Sequence, residues 1–122
     1  MTFSDPSDIY HVVKTSWSPE TVADAFDESN PCRNQCAVTA LAVQHYFGGD
    51  IVKTRTKGGT HFYNRINGRY WDLATDQFDE PIPYDNVLTD AAEAHQHATA
   101  AHLAVLLPNI ENSPRNGASN GL

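Results

Sequence analysis

The residue best suited to nucleophilic chemistry in this chain is cysteine, and Cys32 and Cys36 lie four positions apart. Cys36 opens the segment CAVTALAVQHYF, whose apolar residues predict a helix that ends at Gly48-Gly49. A thiol at a helix start lies beside backbone N–H groups with no partner in the helix, at the positive end of the dipole. That position favours the thiolate, and the N–H groups can bind the oxyanion of a tetrahedral intermediate. Cys36 is therefore a candidate nucleophile, or else a buried apolar residue, as cysteine often is.

A cysteine nucleophile needs a base, and the base needs an acceptor that orients it. The strands THFYNRI and RYWDLA flank Asn67-Gly68, which predicts a hairpin with a two-residue turn. This register places Tyr63 opposite Asp72, so that His61 and Asp72 lie on one face as diagonal neighbours, roughly 7–8 Å apart between backbones. The spacing therefore predicts a hydrogen bond between the imidazole of His61 and the carboxylate of Asp72.

Two kinds of element must position these residues. Ser18 before Pro19 predicts the start of a first helix, and the last helix is expected to run from Leu88 to Leu107 and end at Pro108. Between them the pattern predicts a helix over 35–47 and strands over 50–56, 60–66 and 69–74. This order indicates an α+β fold whose N-terminal helices pack on a small antiparallel sheet.

The length of 122 residues indicates one domain, which we expect to span residues 1–108. Residues 109–122, NIENSPRNGASNGL, have the composition of a flexible tail. The 40% of hydrophobic residues and 19% of charged residues are typical of a globular chain rather than a disordered one.

The formal net charge of −7 argues against nucleic acids and anionic membranes as partners. No stretch reaches the roughly 20 apolar residues that a membrane-spanning helix needs. The start MTFSDPSDIYHVV lacks the basic and apolar regions of a secretion signal, so we expect a cytoplasmic protein.

The strings NQCAVTALAVQHYFGGDI and THFYNRINGRYWDLATDQF, with TSWSPET upstream, resemble the small bacterial YunG-like proteins. More broadly, they resemble papain-like and transglutaminase-like cysteine enzymes, and this likeness implies a core in which a cysteine opens a helix packed on the sheet. A histidine and then an acidic or amide residue follow on adjacent strands, and Cys36, His61 and Asp72 match that order. In these enzymes glycine commonly stands two residues before the nucleophile. Here Asn34 takes that place, and asparagine tolerates left-handed backbone geometry.

The motifs and the resemblance together predict thiol-dependent acyl chemistry through an acyl-thioester, as in a cysteine hydrolase, an amidase or an acyltransferase. The expected substrate is a small amide, a peptide terminus or a protein side chain, with no cofactor. Gln35 or Asn34 could add an amide to the oxyanion site, and Trp17 and the loop over residues 79–86 could border the substrate cleft.

Two other interpretations stay open. The chain could be a non-catalytic accessory or immunity-type module that binds a protein partner and keeps Cys36 inert. Cys32 and Cys36 could form a reversible redox pair, although CxxxC is a weak signal. No metal site is predicted: Cys32, Cys36 and His61 lack a fourth ligand, and the C-terminal histidines lack ligand spacing (His95, His97 and His102).

Overall fold

Residues 3–22, 26–75, 78 and 80–113 are described in the computed structural model. Within these ranges the chain forms four α-helices and four β-strands. The helices are α1 (Ser7–Lys14), α2 (Cys36–Phe47), α3 (Ala91–Ala94) and α4 (Ala100–Asn112). The strands are β1 (Asp50–Thr56), β2 (Gly59–Ile66), β3 (Arg69–Trp71) and β4 (Val87–Thr89). The predicted α+β class is confirmed, and none of these helices is long and apolar enough to cross a membrane.

The sheet is antiparallel with the strand order β3-β2-β1-β4, so it has one strand more than the sequence predicted. The predicted hairpin is confirmed: Ile66 pairs with Arg69, and Asn67 and Gly68 have φ of +52° and +79°. Both values suit a two-residue hairpin turn, which needs positive φ at both positions. β3 ends at Trp71 and is shorter than expected. At the next residue, the Asp72 side chain accepts a hydrogen bond from the backbone N–H of Ala74, and the chain leaves the strand.

Helix α2 forms the centre of the molecule and contacts β1, β2, α3 and α4. All residues from Ala37 to Val43 are buried, which explains why the helix is apolar on every side. On the sheet side, Asn64 donates from Nδ2 to the carbonyl oxygen of Ala40 at 3.0 Å. This buried hydrogen bond fixes the start of α2 relative to β2, the two elements that carry Cys36 and His61.

The predicted helix from Ser18 is wrong beyond its first turn. Ser18 does form a capping box, but the turn is a short 3-10 helix over Pro19–Thr21, and Val22 is extended and buried. Residues 23–25 lie outside the described residues. Helix α1 was not predicted at all, although Ile9, Val12 and Val13 form its buried face.

The predicted helix from Leu88 to Leu107 is also wrong, because the segment divides into β4, α3 and α4. Asp90 and Thr99 cap the two helices and thereby set the breaks. Helix α4 continues through Pro108, where a proline costs about 3 kcal/mol, because Leu106 and Ile110 are buried against the core. Residues 109–112 of the expected tail are therefore helical, and residues 114–122 lie outside the described residues.

Candidate active site

Cys36 is the first residue of α2, as predicted, and it is half-buried. Asn34 lies two positions earlier with a φ of +67°, the left-handed conformation that asparagine adopts more readily than most residues. The Cys36 Sγ atom lies 4.0 Å from the carbonyl oxygen of Thr60, and the thiol is hydrogen-bonded to the imidazole of His61. The turn at Asn34 thus places the thiol next to the start of β2.

His61 and Asp72 meet as the hairpin register predicted. Nε2 of His61 lies 2.7 Å from Oδ2 of Asp72, and the two side chains are only 1% and 9% exposed. Since Nε2 faces Asp72, Nδ1 is the ring nitrogen left for Cys36. The structure therefore brings the three predicted residues into one chain of hydrogen bonds, from thiol to imidazole to carboxylate.

The environment of His61 favours its protonated form. Burial disfavours the charge, but the hydrogen bond to Asp72 and then the one to Cys36 outweigh burial and raise the pKa of His61 to about 9. An imidazolium at neutral pH can stabilise a neighbouring thiolate, as in other cysteine–histidine pairs.

The Asp72 carboxylate is itself held by further donors. Its Oδ1 accepts from the backbone N–H of Ala74 at 3.0 Å, and its Oδ2 accepts from the hydroxyl of Tyr84 at 2.7 Å. Sequence reasoning placed the loop over residues 79–86 at the border of the cleft but did not single out Tyr84. The only sequence signal was one tyrosine within that loop, in PIPYDN.

Two aromatic rings enclose His61. The ring of Tyr63 stacks on it at 5.9 Å between centroids, and Phe78 meets it edge-on at 4.7 Å. Beyond Phe78 a groove of about 530 Å³ runs between residues 55–58 and residues 80–83. The rings shield the imidazole from water on these sides, and Phe78 is the residue that contacts His61 and also lines the groove.

Gln35 directly precedes the nucleophile and is fully buried. Its Oε1 accepts from the Thr21 hydroxyl at 2.8 Å, whereas its Nε2 has no hydrogen-bond partner within the described part of the chain. A buried amide donor without a partner is costly and calls for an explanation.

Trp17 is anchored in the core. It is 7% exposed, and its Nε1 donates to the hydroxyl of Thr39 at 2.9 Å, one turn along α2 from Cys36. This contact ties the segment before the 3-10 turn to α2. A role for Trp17 in binding substrate stays a prediction.

Metal ligands do not gather anywhere in the described ranges: no group of three or more histidine, cysteine or acidic side chains could hold an ion there. Each C-terminal histidine has a local contact instead. His95 bonds to the carbonyl of Ala98, His97 packs on Phe62, and His102 takes part in the cap at Thr99.

The chain matches a known family over most of its length. Residues 5–114 match the family model described as YunG protein. The chain belongs to the YunG family. The uncharacterized protein YunG of Bacillus subtilis (strain 168) is 41% identical over 86 residues, which cover 70% of this chain and 74% of that protein. No solved structure matches this YunG-family chain, so its wider resemblance to papain-like and transglutaminase-like enzymes stays a prediction.

Proposed function

We propose that this YunG-family chain is a cysteine enzyme with a papain-like or transglutaminase-like site that acts on an amide, ester or peptide bond. The observation that carries the proposal is the continuous hydrogen-bonded series of Cys36, His61 and Asp72, with 2.7 Å between His61 Nε2 and Asp72 Oδ2. A nucleophile, a base and an orienting carboxylate in this order are the groups that acyl transfer to a thiol requires.

The reaction would begin when the Cys36 thiolate forms a bond to the substrate carbonyl carbon, and the carbonyl electron pair moves onto the oxygen. When this pair returns, the bond to the leaving group breaks, and the His61 imidazolium gives its proton to the departing amine. A thioester remains. Neutral His61 then takes a proton from water, the hydroxide attacks the thioester carbon, and the thiolate leaves as His61 keeps the proton. An amine in place of water would give acyl transfer.

Two donors are candidates for the oxyanion. The backbone N–H of Cys36 belongs to the first helical turn, whose amides have no partner within the helix. The second is Nε2 of Gln35, the residue just before it: this buried amide has no hydrogen-bond partner among the described residues, and an oxyanion would supply one. Asn34 contributes through its left-handed backbone, which shapes the turn, and its side chain is exposed.

The groove beside Phe78 is the candidate substrate cleft. One wall is formed by residues 55–58 at the tip of the β1–β2 hairpin, and the other by Pro81, Ile82 and Pro83. Its volume of about 530 Å³ suits a small amide, a peptide terminus or one protein side chain. This size supports a narrow substrate class.

A second candidate is a partner-binding module without catalysis. Strand β4 forms an edge of the sheet and exposes two apolar side chains, with Val87 48% and Leu88 64% exposed. A partner strand could pair along such an edge. This function needs no reactive thiol, so the reactivity of Cys36 separates the two proposals.

The test is the rate of Cys36 alkylation by iodoacetamide as a function of pH, measured by peptide mass spectrometry. We expect fast alkylation at mildly acidic pH in the wild type, and a loss of about 100-fold in His61→Ala, because the imidazolium then no longer stabilises the thiolate. His45→Ala is the matched control, since His45 is exposed near the far end of α2. Slow alkylation of the wild type, or equal rates in the wild type and His61→Ala, would refute the catalytic proposal and favour the binding module.

A further inference from the structure

Tyr84 makes an unusual contact for a residue in a surface loop. Its hydroxyl donates to Oδ2 of Asp72 at 2.7 Å, the same oxygen that His61 Nε2 approaches at 2.7 Å. Burial and the contact with Asp72 raise the pKa of Tyr84 to about 12, although a hydrogen bond with Thr75 lowers it. The hydroxyl therefore keeps its proton at neutral pH and acts as a donor to the carboxylate.

The backbone at Tyr84 is held in a conformation that an aromatic residue rarely adopts. Its φ is +51°, in the left-handed region. The next two residues fasten the loop to the sheet: Asp85 exchanges two hydrogen bonds with Thr54, and Asn86 exchanges two with the Tyr63 hydroxyl. Such a conformation persists only where the surrounding contacts enforce it, and it often marks a functional position.

We propose that Tyr84 is a positioning residue that shares Oδ2 of Asp72 with His61 and thereby limits how strongly Asp72 holds the imidazole proton. The role rests on the proposed function, because the proton on His61 matters only if His61 serves Cys36. A carboxylate that accepts two hydrogen bonds at one oxygen is a weaker partner for each donor. Tyr84 would therefore keep His61 acidic enough to give its proton to a leaving group.

The titratable groups that face His61 come from four elements. Cys36 contacts it from α2, Asp72 from the end of β3, and Tyr63 stacks on it from β2 itself. Tyr84, from the loop, reaches His61 indirectly by donating to Asp72. Asp85 is further away, and its charge acts on the Tyr63 hydroxyl. Removing the Tyr84 hydroxyl leaves the other groups in place, and Asp72 keeps its bond from Ala74 N–H.

The test is the titration of the His61 ring by NMR in the Cys36→Ala background, which removes the thiol from the equilibrium. We expect Tyr84→Phe to raise the His61 midpoint by about one pH unit. Without the hydrogen bond from Tyr84, the charged carboxylate of Asp72 is a stronger acceptor and holds the imidazolium proton more tightly. Thr54→Val is the matched control: it cuts both bonds to Asp85 and loosens the loop but leaves the Tyr84 hydroxyl in place.

An unchanged midpoint in Tyr84→Phe, or the same change in Thr54→Val, would overturn the proposal. If Tyr84→Phe fails to fold, Thr75→Val decides instead. It removes the hydrogen bond that makes the Tyr84 hydroxyl a better donor, so the midpoint should rise by a few tenths of a unit, and an unchanged or lower midpoint counts against the role. Because Cys36 is absent from all these variants, an inert Cys36 in the alkylation assay would refute catalysis without touching this result.

Discussion

The two cysteines of this chain differ in almost everything but sequence position. Cys32 is 3% exposed, and its thiol donates to the carbonyl oxygen of Ala74 at 3.1 Å. Cys36 lies one turn further along, half-buried at the start of α2 and hydrogen-bonded to His61. Ala74 links the two environments, because its N–H donates to Asp72. The comparison shows that two thiols four residues apart in sequence can have quite different surroundings, one bonded to a backbone carbonyl in the core and the other beside an imidazole.

The sharpest way to break this comparison is to alkylate both cysteines in one sample. At about pH 6.5 we expect Cys36 to react about 1,000-fold faster than Cys32 in the folded protein, because Cys32 must wait for local opening. The ratio should fall to near one in concentrated guanidinium chloride, as quantified by peptide mass spectrometry. Similar rates in the folded protein would mean that the two environments do not differ as described.

The second prediction concerns stability against pH. The pKa of His61 is about 9 in the folded protein against 6.5 for an unperturbed histidine, so the folded state binds the proton more tightly. The resulting stabilisation is fully present below pH 6.5 and is lost as the pH rises to about 9. In the Cys36→Ala background, where no thiolate forms beside the imidazole, we expect the free energy of unfolding, from urea titrations, to fall by up to about 3 kcal/mol across this window.

Two variants locate this effect. In the same background, His61→Ala should show little dependence on pH in this window, whereas Cys32→Ala should retain it, because the Cys32 thiol is bonded to the backbone carbonyl of Ala74. A Cys36→Ala protein that is equally stable at both ends of the window would contradict the charged state assigned to His61.

The third prediction compares truncation of each thiol. Cys32→Ala should lower the free energy of unfolding by about 1–2 kcal/mol, because it leaves a small cavity and removes the hydrogen bond to the Ala74 carbonyl. Cys36→Ala should change it by less than about 0.5 kcal/mol, since that side chain is partly exposed. The measurement is urea unfolding at about pH 5.5. This pH lies below the pKa of His61 in both the folded and the unfolded chain, so the imidazole is charged in every variant. Equal losses would assign both thiols a packing role.

The smallest expected effect lies in the turn between the cysteines. Asn34 has a φ of +67°, so Asn34→Gly should change stability by less than about 0.5 kcal/mol and leave Cys36 reactive. Asn34→Val should cost about 1–2 kcal/mol, because a β-branched residue fits this conformation poorly. Both are measurable by urea unfolding. A stable Asn34→Val variant would show that the turn does not depend on left-handed geometry.

The elements that were predicted correctly are those with local determinants. Asn67-Gly68 alone fixes the turn and hence the register that brings Asp72 to His61, and the apolar run after Cys36 fixes α2. The failures depend on tertiary packing. No local signal ends the helix pattern at Thr21; the hydrogen bond from Thr21 to Gln35, fourteen residues away, is a tertiary contact. Likewise, Pro108 stays helical because Leu106 and Ile110 are buried.

The candidate site divides in the same way. Cys36, His61 and Asp72 follow from a helix start and a hairpin register, both of which are legible in the sequence. Tyr84 reaches Asp72 from a loop twelve residues further along the chain, and its path depends on contacts with Thr54 and Tyr63 on two different strands. No spacing rule reports such a path, so this residue could only be found in three dimensions.

The Asn67-Gly68 turn is also a site at which the chain can change chemically as it ages. Asparagine followed by glycine is the pair most prone to deamidation, in which the glycine nitrogen attacks the side-chain amide, ammonia leaves and a succinimide opens mainly to isoaspartate. Both residues are exposed here. Isoaspartate would add a backbone carbon to a two-residue turn and disturb the pairing of Ile66 with Arg69. Old protein would then lose the alignment of Asp72 with His61 while its core stayed folded, so the age of a sample is a variable that activity assays must control.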